Sequence, residues 1–558
     1  LMDSQAKVAN DEEKKIEKAP NAEFYPLSSA QKRIYYTSRI EGESSITYNM
    51  PGGILFDQKP DVKSLEKAIN TILNKHIAFR TYFTLEEGEV VQKTIEKIDN
   101  FHLKEVSLPY SDLDTIFSDF LKPFDLEKAP LMRIEIVHFD NGKSLLLIDM
   151  HHIICDGTSM AIFIDELCKL YNGEEIESAQ KIDYIDYAVW EERYRNTASF
   201  ANSKLFWVNQ FQKNIPVLDM PTTYPRGQVR SYRGEKISTV LEEELTSQLY
   251  KACKKYNTTP YIFLMSIYYI LLYKYTNNED IIVGSPIVGR NQKDTENMIG
   301  MFVNTLAIRQ SIQGKENFED FLKRMTEHIL TCFSHQDYPF DELIENLNIK
   351  RVSNRSPLFD TMFIYQNDGQ AHMHFKDRVT SYYEPDPHIA KFDFSLEITP
   401  TENNLICKLE YCTDLFSNKF AQNILQHYVQ ILNEVLKNTQ IVIGKIDMLM
   451  PYEKLQICEE FNHTQYDFDL EKPLMDVFEE QVKKEPHKVA LVFENKKITY
   501  QKLDELSNMV AYSLIKKNIK PGEIVAIKMP RSTSIPIAML GILKAGAAYL
   551  LTDPELPE

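Results

Sequence analysis

Apolar and polar residues alternate over residues 132–138, and an unbroken apolar run follows at 145–148, so the pattern predicts two strands. Asp140-Asn141-Gly142 between them supplies turn chemistry, which makes the pair a hairpin. Met160, Phe163, Ile164, Leu167 and Tyr171 then recur at helical spacing until Asn172-Gly173 stops the helix, with Thr158 or Ser159 as its expected N-cap. Upstream, Val62, Leu65, Ile69, Ile72 and Leu73 mark a helix with one buried face. Residues 25–190 thus read as helix, strand, helix, strand hairpin and helix, the ingredients of a mixed α/β layer.

A second lobe is expected after a helical stretch over 191–212. Its elements are a helix over 261–275, a strand over 281–286 and a long amphipathic helix through Phe420, Ile424, Tyr428, Ile431 and Val435. No sequence repeat links the two halves. Beyond Pro451 the pattern changes to a helix over 474–482 and strands over 489–493, 497–500 and 524–529.

Length and charge narrow the function classes. A chain of 558 residues implies two or three domains of about 100 to 200 residues each. The net charge of -18, with no sustained Lys/Arg stripe, argues against nucleic acid as a partner. No apolar run reaches the ~18 residues of a membrane span, and the polar N-terminus lacks the apolar core of a secretion signal, so a cytoplasmic protein without a membrane partner is expected. Seven cysteines without CxxC spacing suggest reduced thiols rather than disulfides or zinc. With 18 glycines and no glycine fingerprint, no bound cofactor is indicated.

The densest chemistry lies at the junction between the hairpin and the helix, in Met150-His151-His152-Ile153-Ile154-Cys155-Asp156-Gly157. Adjacent histidines on a strand point to opposite faces, which taken alone is also the pattern of two ordinary strand residues. The same divergence, without HExxH or a second ligand cluster, disfavours a metal site, and His372 and His374 read as loop residues. Asp156 stands where a carboxylate caps a helix or pairs with a cation, and Gly157 lets backbone or substrate come close. Arg80 reads as a brace or a substrate contact, Asn304 as a cleft residue or a buried amide satisfying backbone groups, and Tyr187 and Trp190 as core.

The octad resembles the HHxxxDG signature of nonribosomal peptide synthetase condensation domains, shared more loosely with chloramphenicol acetyltransferase. Further segments resemble the same family in the same order. They are Ser29-Ala30-Gln31-Lys32-Arg33-Ile34-Tyr35, Lys75-His76-Ile77-Ala78-Phe79-Arg80-Thr81-Tyr82-Phe83 and Tyr184-Ile185-Asp186-Tyr187-Ala188-Val189-Trp190, then Ile299-Gly300-Met301-Phe302-Val303-Asn304-Thr305, His335-Gln336-Asp337-Tyr338-Pro339-Phe340 and residues 351–358. The likeness covers about residues 24–450. Ile498-Thr499-Tyr500-Gln501-Lys502-Leu503 and Leu543-Lys544-Ala545-Gly546-Ala547-Ala548-Tyr549-Leu550 resemble the first two motifs of an adenylation domain.

The resemblance implies two chloramphenicol acetyltransferase-like lobes in a V with a central tunnel, plus a partial α/β adenylation subdomain. It divides the chain into a linker from an upstream carrier protein (1–22), N-terminal lobe (23–195), C-terminal lobe (196–450), linker (451–470) and truncated adenylation start (471–558). Leu1 precedes Met2, as in an excised piece, and no phosphate loop is present to support ATP-dependent activation. His152 is then the catalytic imidazole and His151 structural. Asp156 is expected to pair with Arg290 across the lobes, Gly157 to border a narrow point of the tunnel, and Ser159, Arg80 and Asn304 to brace or line it.

The implied partners are donor and acceptor peptidyl carrier proteins, whose 4'-phosphopantetheine arms enter the tunnel, and the remainder of the adenylation domain. The leading expectation is amide formation between two carrier-bound thioesters. Its rivals are a starter domain acylating the first amino acid with a fatty acyl group and a silent carrier-docking domain. Heterocyclisation is disfavoured by the histidines, and epimerisation by Met160 where that branch carries Trp.

Overall fold

The computed structural model describes residues 15–555 except 42–44, 100, 111, 178–180, 350–351, 367–372, 377, 387 and 468. Residues 1–14 of the expected linker, Arg351 and His372 lie outside the described residues. The chain divides into two compact units, one up to Glu453 and one from Lys454. No helix among the described residues is long and apolar enough to cross a membrane.

The first unit has two lobes, each a mixed sheet with helices. The first-lobe sheet runs Thr380–Tyr383, Asn49–Phe56, Ser144–His151, Met132–Phe139, Lys104–Leu108; only the last pairing is parallel. Ser144–His151 lies centrally and is buried along its whole length. Leu146, Ile148 and Met150 enter the core beneath helices Val62–Lys75 and Gly157–Tyr171, while Leu145 and Leu147 pack with Phe117 and Phe120 on the opposite face. A strand covered on both faces has no polar side to display, which is why its sequence lacks alternation. The edge strand Thr380–Tyr383 comes from the second half of the chain, and its Tyr-rich four residues carry no periodic signal that announces it.

The second-lobe sheet runs Asn304–Ser311, Asp280–Ile287, Thr361–Tyr365, Phe394–Pro400, Leu405–Cys412, Gly234–Leu241. Thr361–Tyr365 is parallel to both neighbours and the other pairings are antiparallel. Helix Pro260–Thr276 is buried continuously from Ile262 to Leu272, between the sheet and amphipathic helices Phe318–Ser334 and Asn418–Lys437. The helical stretch expected over 191–212 is two helices, Tyr184–Tyr194 and Ala198–Gln210.

On Leu405–Cys412, Leu405, Cys407, Leu409 and Tyr411 are buried in this core, whereas Ile406, Lys408 and Glu410 alternate onto the other face. That face looks into the space between the lobes.

The second unit contains helices Leu474–Lys484, Tyr500–Lys516 and Ser534–Lys544 and two strand pairs, antiparallel Val489–Phe493 with Lys496–Thr499 and parallel Ile524–Lys528 with Ala548–Thr552.

Candidate active site

The hairpin carries His151 to the end of its strand, where its backbone N–H donates to Leu131 O (3.0 Å). The His152 N–H donates to Tyr48 O (2.8 Å), and a tight turn closes as Ile154 N–H reaches His151 O (3.1 Å). The two imidazoles therefore part. His151 is 5% exposed and turns into the first lobe, between the rings of Tyr48 and Phe124, where its Nδ1 accepts from Ile153 N (3.2 Å). Burial, with the charges of His152 and Arg133 adding to it, holds its pKa down to about 3.

His152 is only partly buried. Its Nδ1 lies 2.8 Å from the Cys155 carbonyl, and a carbonyl only accepts, so Nδ1 carries the proton and Nε2 keeps its lone pair. Nε2 has no hydrogen-bond partner among the described residues. Desolvation first, then the ammonium of Lys391 from the second lobe, lowers the pKa to about 4, so the ring is neutral at physiological pH.

Asp156 holds this turn in place. Of the caps the sequence offers, Asp156 rather than Thr158 or Ser159 is the N-cap of helix Gly157–Tyr171: its backbone is extended and its Oδ1 accepts from Ser159 N (2.8 Å). Ser159 is thus already the third residue of the helix, and its hydroxyl is used in tertiary contacts. The same Oδ1 takes Arg290 Nη2 (2.8 Å), while Oδ2 accepts from Phe302 N (3.2 Å). Ser159 Oγ accepts from Arg290 Nη2 (2.9 Å) and Gly300 N (3.0 Å).

Arg290 also donates through Nη1 to Thr295 O (2.6 Å) and Met298 O, and its guanidinium lies 4.2 Å from the Phe302 ring centroid. Asp156 and Arg290 side chains are 1% and 4% exposed. One buried ion pair therefore joins the histidine turn to the segment 290–302. Close packing completes the joint, because a Cβ on Gly300 would fall 1.8 Å from the Tyr184 ring.

Asp156, Ser159 and Arg290 come together, and Arg80 and Asn304 lie elsewhere. Arg80 donates to Ile95 O (3.0 Å) and Glu96 O (2.8 Å), bracing the chain after a hairpin. Asn304 spans a loop by donating to Gln336 O and Tyr338 O (both 2.9 Å) and accepting from Phe340 N (3.1 Å). It also lines a small cavity with Tyr187 and Trp190, which are partly buried at the lobe boundary rather than in the core.

Gly157 is exposed at the first residue of its helix, and a Cβ added there would meet nothing within 4 Å. Gly157→Trp is accordingly expected to fold normally, with a thermal transition within a degree or two of the parent, and still to lose condensation at least about tenfold by occupying substrate space. Unfolding of this variant would show that the glycine serves packing.

Two supporting groups escaped the sequence reading. Gln31 Nε2 lies 3.4 Å from Ile153 O in the histidine turn. Glu166, on the helix capped by Asp156, binds Lys75 (2.5 Å) and His76 (2.8 Å), which ties that helix to Val62–Lys75. Both Gln31 and His76 fall in motifs quoted for their family likeness, yet nothing local discloses partners about 90 or more residues away.

The histidine turn is thus pinned between two mixed-sheet lobes by the Asp156–Arg290 pair. The Condensation domain family matches residues 21–458, and the AMP-binding enzyme family matches residues 478–558. The chain belongs to the condensation-domain family of nonribosomal peptide synthetases and continues into the N-terminal part of an AMP-binding domain.

It is 39% identical to bacitracin synthase 3 of Bacillus licheniformis over 543 residues, 97% of this chain and 8% of that synthase. To gramicidin S synthase 2 of Brevibacillus brevis it is 38% identical over 547 residues, 97% of this chain and 12% of the synthase. The chain thus spans about a tenth of the length of these curated relatives. Among solved structures, holo-AB3403, a four-domain nonribosomal peptide synthetase bound to AMP and glycine, superposes with a TM-score of 0.79 at 23% identity, covering 97% of this chain and 42% of that one. The X-domain from teicoplanin biosynthesis gives 0.70 at 21% identity, covering 78% and 100%. These two likenesses concern the fold.

Proposed function

We propose that residues 23–450 join an aminoacyl or peptidyl thioester on an upstream donor carrier to the amine of an aminoacyl thioester on a downstream acceptor carrier. The 4'-phosphopantetheine arms of both carriers bring the reacting groups to His152, and the chain itself holds no covalent cofactor. Residues 1–22 and 451–470 act as linkers, residues 471–558 begin the adenylation domain, and the reaction takes place in the cytoplasm. The observation that carries this reading is the neutral His152, with its tautomer fixed by Cys155 O and Nε2 left without a partner.

The low pKa decides what His152 does. A free α-ammonium loses its proton near 7.7 to 8.0, and burial beside Lys391 makes His152 a weaker base than a free imidazole, so it is poorly matched to deprotonating that ammonium. The amine therefore arrives neutral. His152 orients it and takes the far more acidic proton of the tetrahedral intermediate, while the Nδ1–H bond to Cys155 O steadies the resulting imidazolium. The Gly157 N–H, at the N-terminus of its helix, offers a hydrogen bond to the thioester oxygen as charge develops.

The pH profile tests this division of labour. Condensation should rise with pH along a limb set by the acceptor amine, near 7.7 to 8.0, because His152 remains in its basic form down to about 4. A limb near pH 6.5 that disappears in His152→Ala would contradict it.

A further inference from the structure

A cavity of about 270 Å³ lies between the lobes on the polar face of the second-lobe sheet. Its first-lobe wall includes Ile46, Pro51 and Leu121, and its second-lobe wall includes Met362, Ile364 and Phe392. Lys391, whose charge acts on His152, also borders it, which places the cavity beside the reaction centre.

The lining is mainly apolar, with Thr47, Asn49, Ser395 and Lys391 among its polar members, and Glu410 supplies its carboxylate. On the sheet, Glu410 stands between Ser395 and Lys236. Lys236 inclines toward Asp386, 4.0 Å away, and Lys391 lies over the Tyr48 ring at 5.4 Å. No side-chain hydrogen bond or ion pair to the Glu410 carboxylate forms among the described residues. Burial raises its pKa, and the ammonium charges of Lys236 and Lys391 act against that rise without closing on the carboxylate. A mainly apolar space with a carboxylate in its wall suits an aliphatic stem ending in a cation.

We infer that this cavity receives the side chain of one aminoacyl substrate and that Glu410 selects an extended side chain of the lysine type. The inference rests on the condensation reading for the identity of the ligand as an aminoacyl group. Its recognition chemistry is shared by donor and acceptor, which differ at the α-nitrogen: acylated in a peptidyl donor, free in an acceptor.

The test is binding, kept separate from turnover. Lysyl- and norleucyl-pantetheine linked by a stable amide, each with a free or an acetylated α-amine, are titrated calorimetrically into the whole chain. Lysyl should bind about tenfold more tightly than norleucyl, the value of one charge-assisted contact, and Glu410→Gln should remove the difference without shifting the thermal transition. Preference confined to the free-amine pair assigns the cavity to the acceptor, and preference confined to the acetylated pair assigns it to the donor. Equal binding of lysyl and norleucyl by the parent protein overturns the inference with no variant needed, as does a preference that survives in Glu410→Gln. Lysyl preference in a protein that forms no amide would sink the condensation reading and leave the selectivity of the cavity standing.

Discussion

His152→Ala lowers condensation between loaded carriers by about two orders of magnitude or more, while its thermal unfolding stays within a few degrees of the parent. The expectation of retained stability follows from the side chain's small structural share. Its single hydrogen bond is to Cys155 O, and its backbone bond to Tyr48 O survives truncation. The kinetic loss follows from positioning, since an amine held near attack geometry and relieved of its proton at the intermediate loses both aids together. Turnover near the parental rate would remove His152 from the mechanism.

Arg290→Ala and Asp156→Ala each lose about 3 to 5 kcal/mol of stability, the scale for stranding one member of a buried ion pair. Both side chains are almost wholly enclosed, so solvent does little to rescue the survivor. Removing Asp156 also strips the helix cap and the acceptor for Phe302 N, and it abandons the Arg290 guanidinium among carbonyls already in use. Activity should fall with stability, because the same carboxylate holds the turn that aims His152. Calorimetric unfolding of each variant measures the effect. A variant of parental stability with only slowed turnover would assign the pair to chemistry.

How far the sequence disclosed this site depends on the range of each interaction. The hairpin, its Gly142 turn and the following helix were legible because they are written in local periodicity. The divergence of His151 from His152 follows from strand geometry in the same way. Asp156 pairs with a residue 134 positions away, and no local spacing encodes that; only likeness to a family suggested Arg290.

The N-cap stayed open among Asp156, Thr158 and Ser159, since Asp, Thr and Ser all cap helices and tertiary contacts decided among them. That a side chain at Gly157 would find open space was not legible, because a glycine in sequence does not reveal whether it marks a tight contact or an opening. Glu410 and Lys391 were overlooked altogether. On its own strand Glu410 is simply the polar half of an alternation, and only the packing of two lobes makes that face the wall of a cavity.

The central claim is amide formation between two carriers, and intact-protein mass spectrometry of a three-component mixture tests it most directly. A donor carrier charged with one aminoacyl thioester and an acceptor carrier charged with another, isotopically distinct, are incubated with the protein. The account predicts dipeptidyl mass on the acceptor carrier, an equal loss from the donor, and neither change when His152→Ala replaces the parent. Acceptor carriers that stay singly charged in the presence of active, folded protein, or that gain mass only from an acyl-CoA, would contradict it.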